Sequence, residues 1–541
     1  MQLNKRNFNP AGRQVSLRDA LATAQGHHEA GRLPQAEAVY RDILKAIPSN
    51  VVAMHYLGVC ICQQGRHDDG LAMVRKCLAI KADYDRAWFN LGCLLVERGR
   101  RTEAIEALQR CVEHKPDDAV AVLCLAEQLR MEGDLDAAAT AYRRTLELKP
   151  GQWKAHCDLG DVLAKKGDWD QARQHFDQAR QLSAGIEQAR QPLAGTLHNA
   201  AFVLNMMGRR REALEASDWC MALDDTIAEA HLNRGLTLLY FQRFAEGWHE
   251  YEWRGRCESY RSFDVPRPKW DGGDLNGRRI LLCWEQGFGD NIQCIRYASM
   301  VAAKGGRVVL ECQPALVRLF RTAAGVEEIV PSGGEISNVD VYAPLMSLPG
   351  LFDTTLENLP RQTPYLHADD ADVQTWSQRF GARERFRVGL VWSCHPQGLT
   401  HQTKSISPAS LQPLLQIPGI EFYGLQVGEH AAGALKEFGD AVQDLAPHIN
   451  DFADTAAALT QMDLLISVDT AAAHLGGAMA VETWTLLPFA ADWRWLPDRQ
   501  DSPWYPTMRL FRQDRPGDWT AAIAHMETQL REEVARHQKG T

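Results

Sequence analysis

Glycine recurs at Gly31, Gly65, Gly99, Gly133 and Gly167, each 34 residues after the last. Three further series keep the same step: Gly58, Gly92, Ala126 and Gly160; Ala36, Gly70, Ala104, Ala138 and Ala172; and Pro48, Pro116 and Pro150, with Ala82 in one slot. Four series in one register restrict the fold severely. Small residues let paired helices approach closely, glycine turns the chain between them, and proline ends the second helix. The step slips once, since Gly208 follows Gly167 by 41 residues, and resumes through Ala201, Ala213, Gly235 and Gly247.

A 34-residue step with these marks resembles the tetratricopeptide repeat, an α solenoid. About seven repeats are expected over residues 17–254, after an extension at 1–16. The concave face of such an array is built from the first helix of each repeat and suits partner binding. Asn90, Asn199 and Asn233 each stand two residues before the small residue of that helix. A resemblance to the repeats of protein O-glycosyltransferases places these three asparagines on the inner face, holding the backbone of a protein acceptor. As a plain polar residue, each is equally a solvated surface position.

The period changes after a Pro/Gly/Asp-rich linker at 255–278. Short apolar runs then alternate with helical segments: "RILLCW" (279–284), "RVVLEC" (307–312), "VDVYAP" (339–344), "RVGLVW" (387–392), "EFYGLQ" (421–426), "DLLISV" (463–468) and "TWTLLP" (483–488). Apolar runs separated by helices predict parallel α/β sheets buried on both faces. Ligands of such sheets bind at the carboxyl ends of the strands. The stretch "LLISVDTAAAHLGGA" (464–478) puts Asp469, Thr470 and His474 at such an end. Its small residues leave room for a ligand and open a helix whose positive end favours an anion.

That stretch, with "LLCWEQGFGDNIQCIRYASMV" (281–301), "VGLVWSCHPQGLTHQTKSI" (388–406) and "LLPFAADWRWLPDRQDSPWYPTMRLFRQ" (486–513), resembles the heptosyltransferase-like glycosyltransferases of the GT-B fold. The resemblance implies an α/β module of two Rossmann-like domains, an acceptor-side domain at 279–370 and a donor-nucleotide domain at 385–532. The whole chain resembles bacterial fusions of tetratricopeptide repeats with a glycosyltransferase, including flagellin-type protein O-glycosyltransferases. Relatives often carry glycine at Cys394, asparagine at His395 and arginine at Lys404.

The implied reaction needs a base for the acceptor hydroxyl and positive charge for the leaving phosphate. Asp290, after Gly287-Phe288-Gly289, is the candidate base, although Asp290 with Gln293 also fits a helix capping box. Glu285 is the alternative base. Lys404 and Ser405 are candidate phosphate ligands, Asp469 a ligand of sugar hydroxyls, and Thr470 a phosphate contact. Gln426 is a candidate reader of the nucleotide, and His474 either touches the donor or packs. Trp493 and Trp495 flank the cleft or pack between domains. Asp370-Ala-Asp372 is formally a DxD, more simply read as acids at a helix start, and no metal site is expected.

Composition agrees with a globular protein: 45% hydrophobic and 24% charged residues. The net charge of -10 argues against a nucleic-acid partner. The opening stretch "MQLNKRNFNPAGRQ" has no apolar core, so it is not expected to act as a secretory signal, and no apolar run approaches the roughly 20 residues a membrane helix needs. The thirteen scattered cysteines suggest reduced thiols in a cytoplasm. The expectation is a cytoplasmic glycosyltransferase with no cofactor beyond a nucleotide-sugar co-substrate, moving a sugar to Ser or Thr of a protein held by the repeats. Two alternatives stand beside it, a catalytically inactive repeat scaffold and a transferase acting on a lipid-linked or polysaccharide acceptor. The sugar, the nucleotide, the stereochemical course and the oligomeric state are not encoded in these motifs.

Overall fold

The computed structural model describes residues 16–258, 260, 261, 263, 265–336, 338–394, 401–428 and 431–540. The chain divides into two compact units, 1–200 and 201–541.

The first unit is a series of helical hairpins: α1 (Leu17–Glu29) with α2 (Leu33–Ala46), α3 (Val51–Gln63) with α4 (His67–Ile80), α5 (Asp85–Glu97) with α6 (Arg101–His114), α7 (Ala119–Glu132) with α8 (Leu135–Leu148), and α9 (Trp153–Lys165) with α10 (Trp169–Leu182). Each of the five spaced glycines turns a hairpin with φ between 69° and 91°, a conformation that costs a side chain about 1–2 kcal/mol. The small-residue series sit where helices touch. A Cβ on Gly58 would lie 2.6 Å from Val74 Cγ2 and 2.8 Å from the Gly70 carbonyl, and one on Gly160 would lie 2.7 Å from the Phe176 ring. Pro48, Pro116 and Pro150 each stand two residues past the end of a hairpin's second helix.

The 41-residue step has a simple cause. α11 (Glu187–Met206) is 20 residues long, seven more than α9. It crosses the boundary between the units.

The second unit continues with α12 (Arg210–Leu223), α13 (Ala228–Tyr240) and α14 (Phe244–Tyr251). Gln242 turns α13 into α14 with φ 62°, in the slot that glycine fills 34 residues earlier. The stretch read as a linker is ordered where described: Trp270 is buried, its backbone N–H donates to the Tyr342 carbonyl at 2.8 Å and its indole N–H to the Gly273 carbonyl at 2.9 Å.

Two parallel sheets follow. The first runs β3–β2–β1–β4, from β1 (Arg279–Cys283), β2 (Arg307–Cys312), β3 (Val326–Pro331) and β4 (Val341–Pro344). The second runs β10–β9–β8–β5–β6–β7, from β5 (Phe386–Val391), β6 (Ile420–Gly424), β7 (Val442–Asp444), β8 (Leu464–Val468), β9 (Thr483–Leu487) and β10 (Met508–Arg512). Counted from its own first strand, the second sheet has the doubly wound order 3-2-1-4-5-6, and the first has its 3-2-1-4 portion. The chain reverses direction across the sheet between β5 and β8, which pair from Val388 with Leu464 to Val391 with Ser467.

The seven apolar runs all form strands, and the sequence reading missed β3, β7 and β10. All three are edge strands. β3 carries Glu327 and Glu328, which pair across to Arg307 and Arg279, and such charge at an edge blunts it against further pairing. Among the described residues no helix is long and apolar enough to cross a membrane, and the thirteen cysteines are free thiols.

Candidate functional site

Within the second unit, a cleft of about 490 Å³ opens at the carboxyl ends of β5, β6 and β8. Ser393 and Cys394 follow β5, Gln426 and Val427 follow β6, and Thr470, Ala471 and Ala472 follow β8. The turn Gly287-Phe288-Gly289 after β1 lines the opposing wall, with Phe288 against Phe452 at a ring separation of 4.9 Å. A cleft at the switch point of a doubly wound sheet is where such sheets take ligands.

β8 is buried throughout and apolar but for Ser467, and the chain leaves it through Asp469 into the helix Ala471–Ala478. Thr470 is the N-cap, but no side chain caps that helix, and its hydroxyl lies 3.0 Å from Ser467 Oγ. Ala471 and Ala472 line the cleft with no side-chain oxygen capping them, while the Ala473 amide donates to the Thr470 carbonyl at 3.1 Å, a local positive end suited to an anion. The small residues serve packing as well as space. A Cβ on Gly476 would lie 2.8 Å from the Leu465 side chain, and Gly477 is covered by the Tyr505 ring. A Cβ on Gly289 would lie 2.8 Å from His474 Cδ2, so this glycine lets the helix Phe288–Cys294 approach the helix of His474.

The structure joins two residues singled out separately. Lys404 Nζ lies 2.7 Å from Asp469 Oδ2, an oxygen that no hydrogen bond reaches from elsewhere in the described residues. Burial works against the charge of Lys404, but Asp469 and Asp492 outweigh it and hold the ammonium above the ordinary lysine range. Asp492 in turn accepts from Arg494 at 2.8 Å, and Arg494 donates to Asp290 Oδ1 at 2.6 Å and to Gln293 Oε1 at 2.7 Å. The charges alternate in two contacting groups, Asp469–Lys404 and Asp492–Arg494–Asp290, which act on each other through space between Lys404 and Asp492. Burial raises the Asp290 carboxyl above its usual range despite Arg494 and the Gly287 amide. Burial also opposes the charge of Asp492, but Arg494 and Lys404 prevail and hold it low.

Asp290 caps its own helix as well: its Oδ2 accepts from Gly287 N at 2.9 Å. Asp290 and Asp469 stand next to lining residues of the cleft without lining it, Lys404 borders the second cavity, and Glu285 is not brought to the cleft. It is buried, takes two hydrogen bonds from Arg254 at 3.1 and 2.9 Å, and borders a separate cavity with Arg254 and Lys269. Gln426 lines the cleft and accepts from Ser393 N at 3.0 Å, while Ser405 lies behind Ser393, hydroxyl to hydroxyl at 3.2 Å. His474 packs: Nδ1 meets the Tyr505 hydroxyl at 2.8 Å, the ring stacks on Trp495, and burial pushes its pKa down to about 3. Trp493 packs edge-on against Trp248, and Trp495 is buried. His395 lies outside the described residues.

The asparagines part company. Asn90 Nδ2 lies 2.7 Å from His55 Nε2 in the neighbouring repeat, and Asn199 is exposed on α11. Asn233 borders a second cavity of the second unit, with Lys404 and Asp492. Asp370 and Asp372 open the helix Asp370–Phe380, capped by Asp369, and Asp372 pairs with Arg318. Among the described residues no cluster of three or more His, Cys, Asp or Glu forms a metal site.

Sequence reasoning missed Arg494, the hub of the charge chain, although it stands in the quoted stretch "ADWRWLP". It also missed Asp451, which lines the cleft, caps the helix Phe452–Leu459 and accepts two 3.0 Å hydrogen bonds from Arg318.

Comparison with known proteins adds the following. The tetratricopeptide repeat family model matches residues 21–85, 89–152 and 125–185. Protein FlbA of Caulobacter vibrioides is 28% identical over 398 residues, covering 66% of this chain and 64% of that protein, so the chain spans just under two thirds of its relative's length. The crystal structure of MamA is 26% identical with a TM-score of 0.29, covering 30% of this chain and 96% of that one. That of YrrB, a TPR protein with an unusual peptide-binding site, is 17% identical with a TM-score of 0.31, covering 35% and 95%. The helical hairpins of the first unit are therefore tetratricopeptide repeats, followed by a region of parallel sheets and helices.

Proposed function

We propose that the chain is a glycosyltransferase of the GT-B type, moving a sugar from a nucleotide donor to a Ser or Thr hydroxyl of a protein, with flagellin as one candidate acceptor class. The observation that carries this reading is the cleft at the β5/β8 switch point, with the uncapped helix end at Ala471 facing it and the Lys404–Asp469 pair beside Thr470. In the proposed reaction the helix amides and Lys404 receive the negative charge that grows on the leaving diphosphate. Asp469 orients sugar hydroxyls. Asp290 accepts the proton of the acceptor hydroxyl as its oxygen bonds to the anomeric carbon and the bond to the phosphate breaks. A raised carboxyl is the stronger base, and each Asp290 oxygen keeps a lone pair beyond its present bond. The repeats supply the acceptor grip.

The scaffold reading has one observation of its own. Both candidate bases are engaged by arginines, Glu285 by Arg254 and Asp290 by Arg494. A thermal-shift screen of UDP-, GDP-, ADP- and CMP-sugars, followed by transfer to a Ser/Thr peptide, separates the two. A donor at about 100 times its Kd adds about 2.7 kcal/mol of stability. No stabilisation and no transfer with any of the four classes refutes the enzyme reading and leaves the scaffold.

A further inference from the structure

The second cavity of the second unit measures about 520 Å³ and has an unusual wall. Phe202 and Met206 on α11 and Phe489 after β9 line it while 42%, 38% and 44% exposed. Bulky apolar side chains gathered in one open hollow mark a binding surface rather than scattered surface residues. The same wall carries buried donors. Gln513 accepts from the Phe489 and Gly517 amides at 3.1 and 3.2 Å, while its Nε2 has no partner among the described residues. Arg210 gives its terminal nitrogens to Asn205 and to the Ala491 carbonyl, and its Nε has no partner among them.

Lys404 borders this cavity, and it pairs with Asp469, whose neighbour Thr470 lines the cleft. The ion pair thus separates the two spaces. We propose, building on the transferase reading, that the second cavity is the acceptor subsite: it binds an extended polypeptide segment, seats a bulky apolar side chain among Phe202, Met206 and Phe489, and presents a nearby Ser or Thr at the Lys404–Asp469 partition. The chemistry selects the occupant. Exposed phenyl and thioether groups call for apolar surface, and the buried, unpartnered Gln513 Nε2 and Arg210 Nε can take carbonyl acceptors once a side-chain shift uncovers them. An extended peptide offers both at short intervals along one strand. A saccharide lacks the apolar surface, and an acyl chain lacks the acceptors.

The test uses the full chain and a fluorescent library of Ser/Thr-containing 12-residue peptides, varied at one fixed position between Phe, Leu, Met, Ser and Asp. Anisotropy should show at least tenfold tighter binding for the apolar members at a defined offset from the hydroxyl residue. Phe202→Ser and Phe489→Ser should each abolish that preference, whereas Ile80→Ser, on an exposed apolar residue of α4, should leave it intact. A preference that survives both cavity variants, an Asp preference, or displacement of the peptides by octanoate overturns the proposal. The donor screen is an independent arm. Apolar-selective peptide binding without any nucleotide-sugar binding sinks the transferase reading and keeps the subsite, and donor binding without peptide selectivity does the reverse.

Discussion

Replacing Arg494 by methionine tests the charge chain most directly. Methionine matches the reach of the arginine stem without its charge, and the guanidinium over the Trp493 ring at 4.5 Å is lost with it. What is lost is the cation between Asp290 and Asp492, which receive hydrogen bonds of 2.6 and 2.8 Å from it. The Arg494 side chain is 8% exposed, and the two carboxylates are 20% and 29% exposed. Removing one partner of a buried pair costs roughly 3–5 kcal/mol, and the partial exposure of the carboxylates places this case near 3. A unit of this size has an unfolding entropy on the order of 0.7 kcal/mol/K, so its melting temperature should fall by about 4 °C.

The pH dependence gives a second reading of the same variant. Burial already raises Asp290 in the folded protein, so folding costs a charged carboxylate there, and that cost is relieved as pH falls through its folded pKa. Without Arg494 the carboxyl rises further, and Asp492 loses the partner that holds it low. The gap between variant and parent should therefore be largest at pH 7–8 and narrow toward pH 5, where the orphaned acids take up protons. Differential scanning calorimetry at pH 8, 7, 6 and 5 measures it. A gap that is absent at pH 7, or equal at all four values, refutes the idea that Arg494 offsets two buried charges.

Lys404→Ala should weaken binding of the cognate nucleotide sugar by about 1.5–3 kcal/mol, or roughly 10- to 150-fold by calorimetry, and unchanged affinity would place the phosphates elsewhere. Asp469→Asn keeps the shape of the site but takes the charge from the buried partner of Lys404, so melting should fall by up to about 4 °C while transfer drops at least tenfold, about 1.4 kcal/mol; lower melting with native transfer would reduce Asp469 to a partner of Lys404. Gly58→Ala should destabilise the first unit by about 1–3 kcal/mol, because the new methyl meets the Gly70 carbonyl, and a neutral result would mean that α3 and α4 can part freely. Gln242→Gly should stabilise the second unit by about 0.5–1 kcal/mol in the same scans by removing a left-handed side chain, and a loss of stability would show that the glutamine side chain is needed in that turn.

The repeats were legible because each position of their pattern has one steric reason. Left-handed turns select glycine at residues 31 to 167, and close helix contacts select Gly58, Gly70 and Gly160. The pattern failed where something else carries the turn, at Gln242, and where α11 lengthened by seven residues. Strands buried on both faces were legible as apolar runs, whereas β3 and β10 keep charges at sheet edges and β7 has three residues. The compact boundary at 200/201 left no mark, because it falls inside a continuous helix.

Thr470 and Gln426, singled out from the sequence, line the cleft, whereas Glu285 and His474 are held elsewhere, and the connections between side chains left no mark. Spacing placed Asp469 after a strand and Lys404 in a distant loop; only the fold makes them partners at 2.7 Å. That pairing changes what each can do. A lysine held by a carboxylate can turn toward phosphate only if another charge takes its place on Asp469, or if the sugar hydroxyls take over that carboxylate. In the proposed transferase, donor binding and breakage of the pair are then one event, and the acid freed of its ammonium is the acid that would orient the sugar. Arg494 imposes the same logic on Asp290, whose basicity depends on how firmly the guanidinium stays. The sequence carries Arg494 in a tryptophan-flanked turn that reads as packing, and it does pack, on Trp493 at 4.5 Å. Its second role, joining the turn after β1 to Asp492 after β9, exists only across 204 residues of chain, beyond the reach of any local pattern.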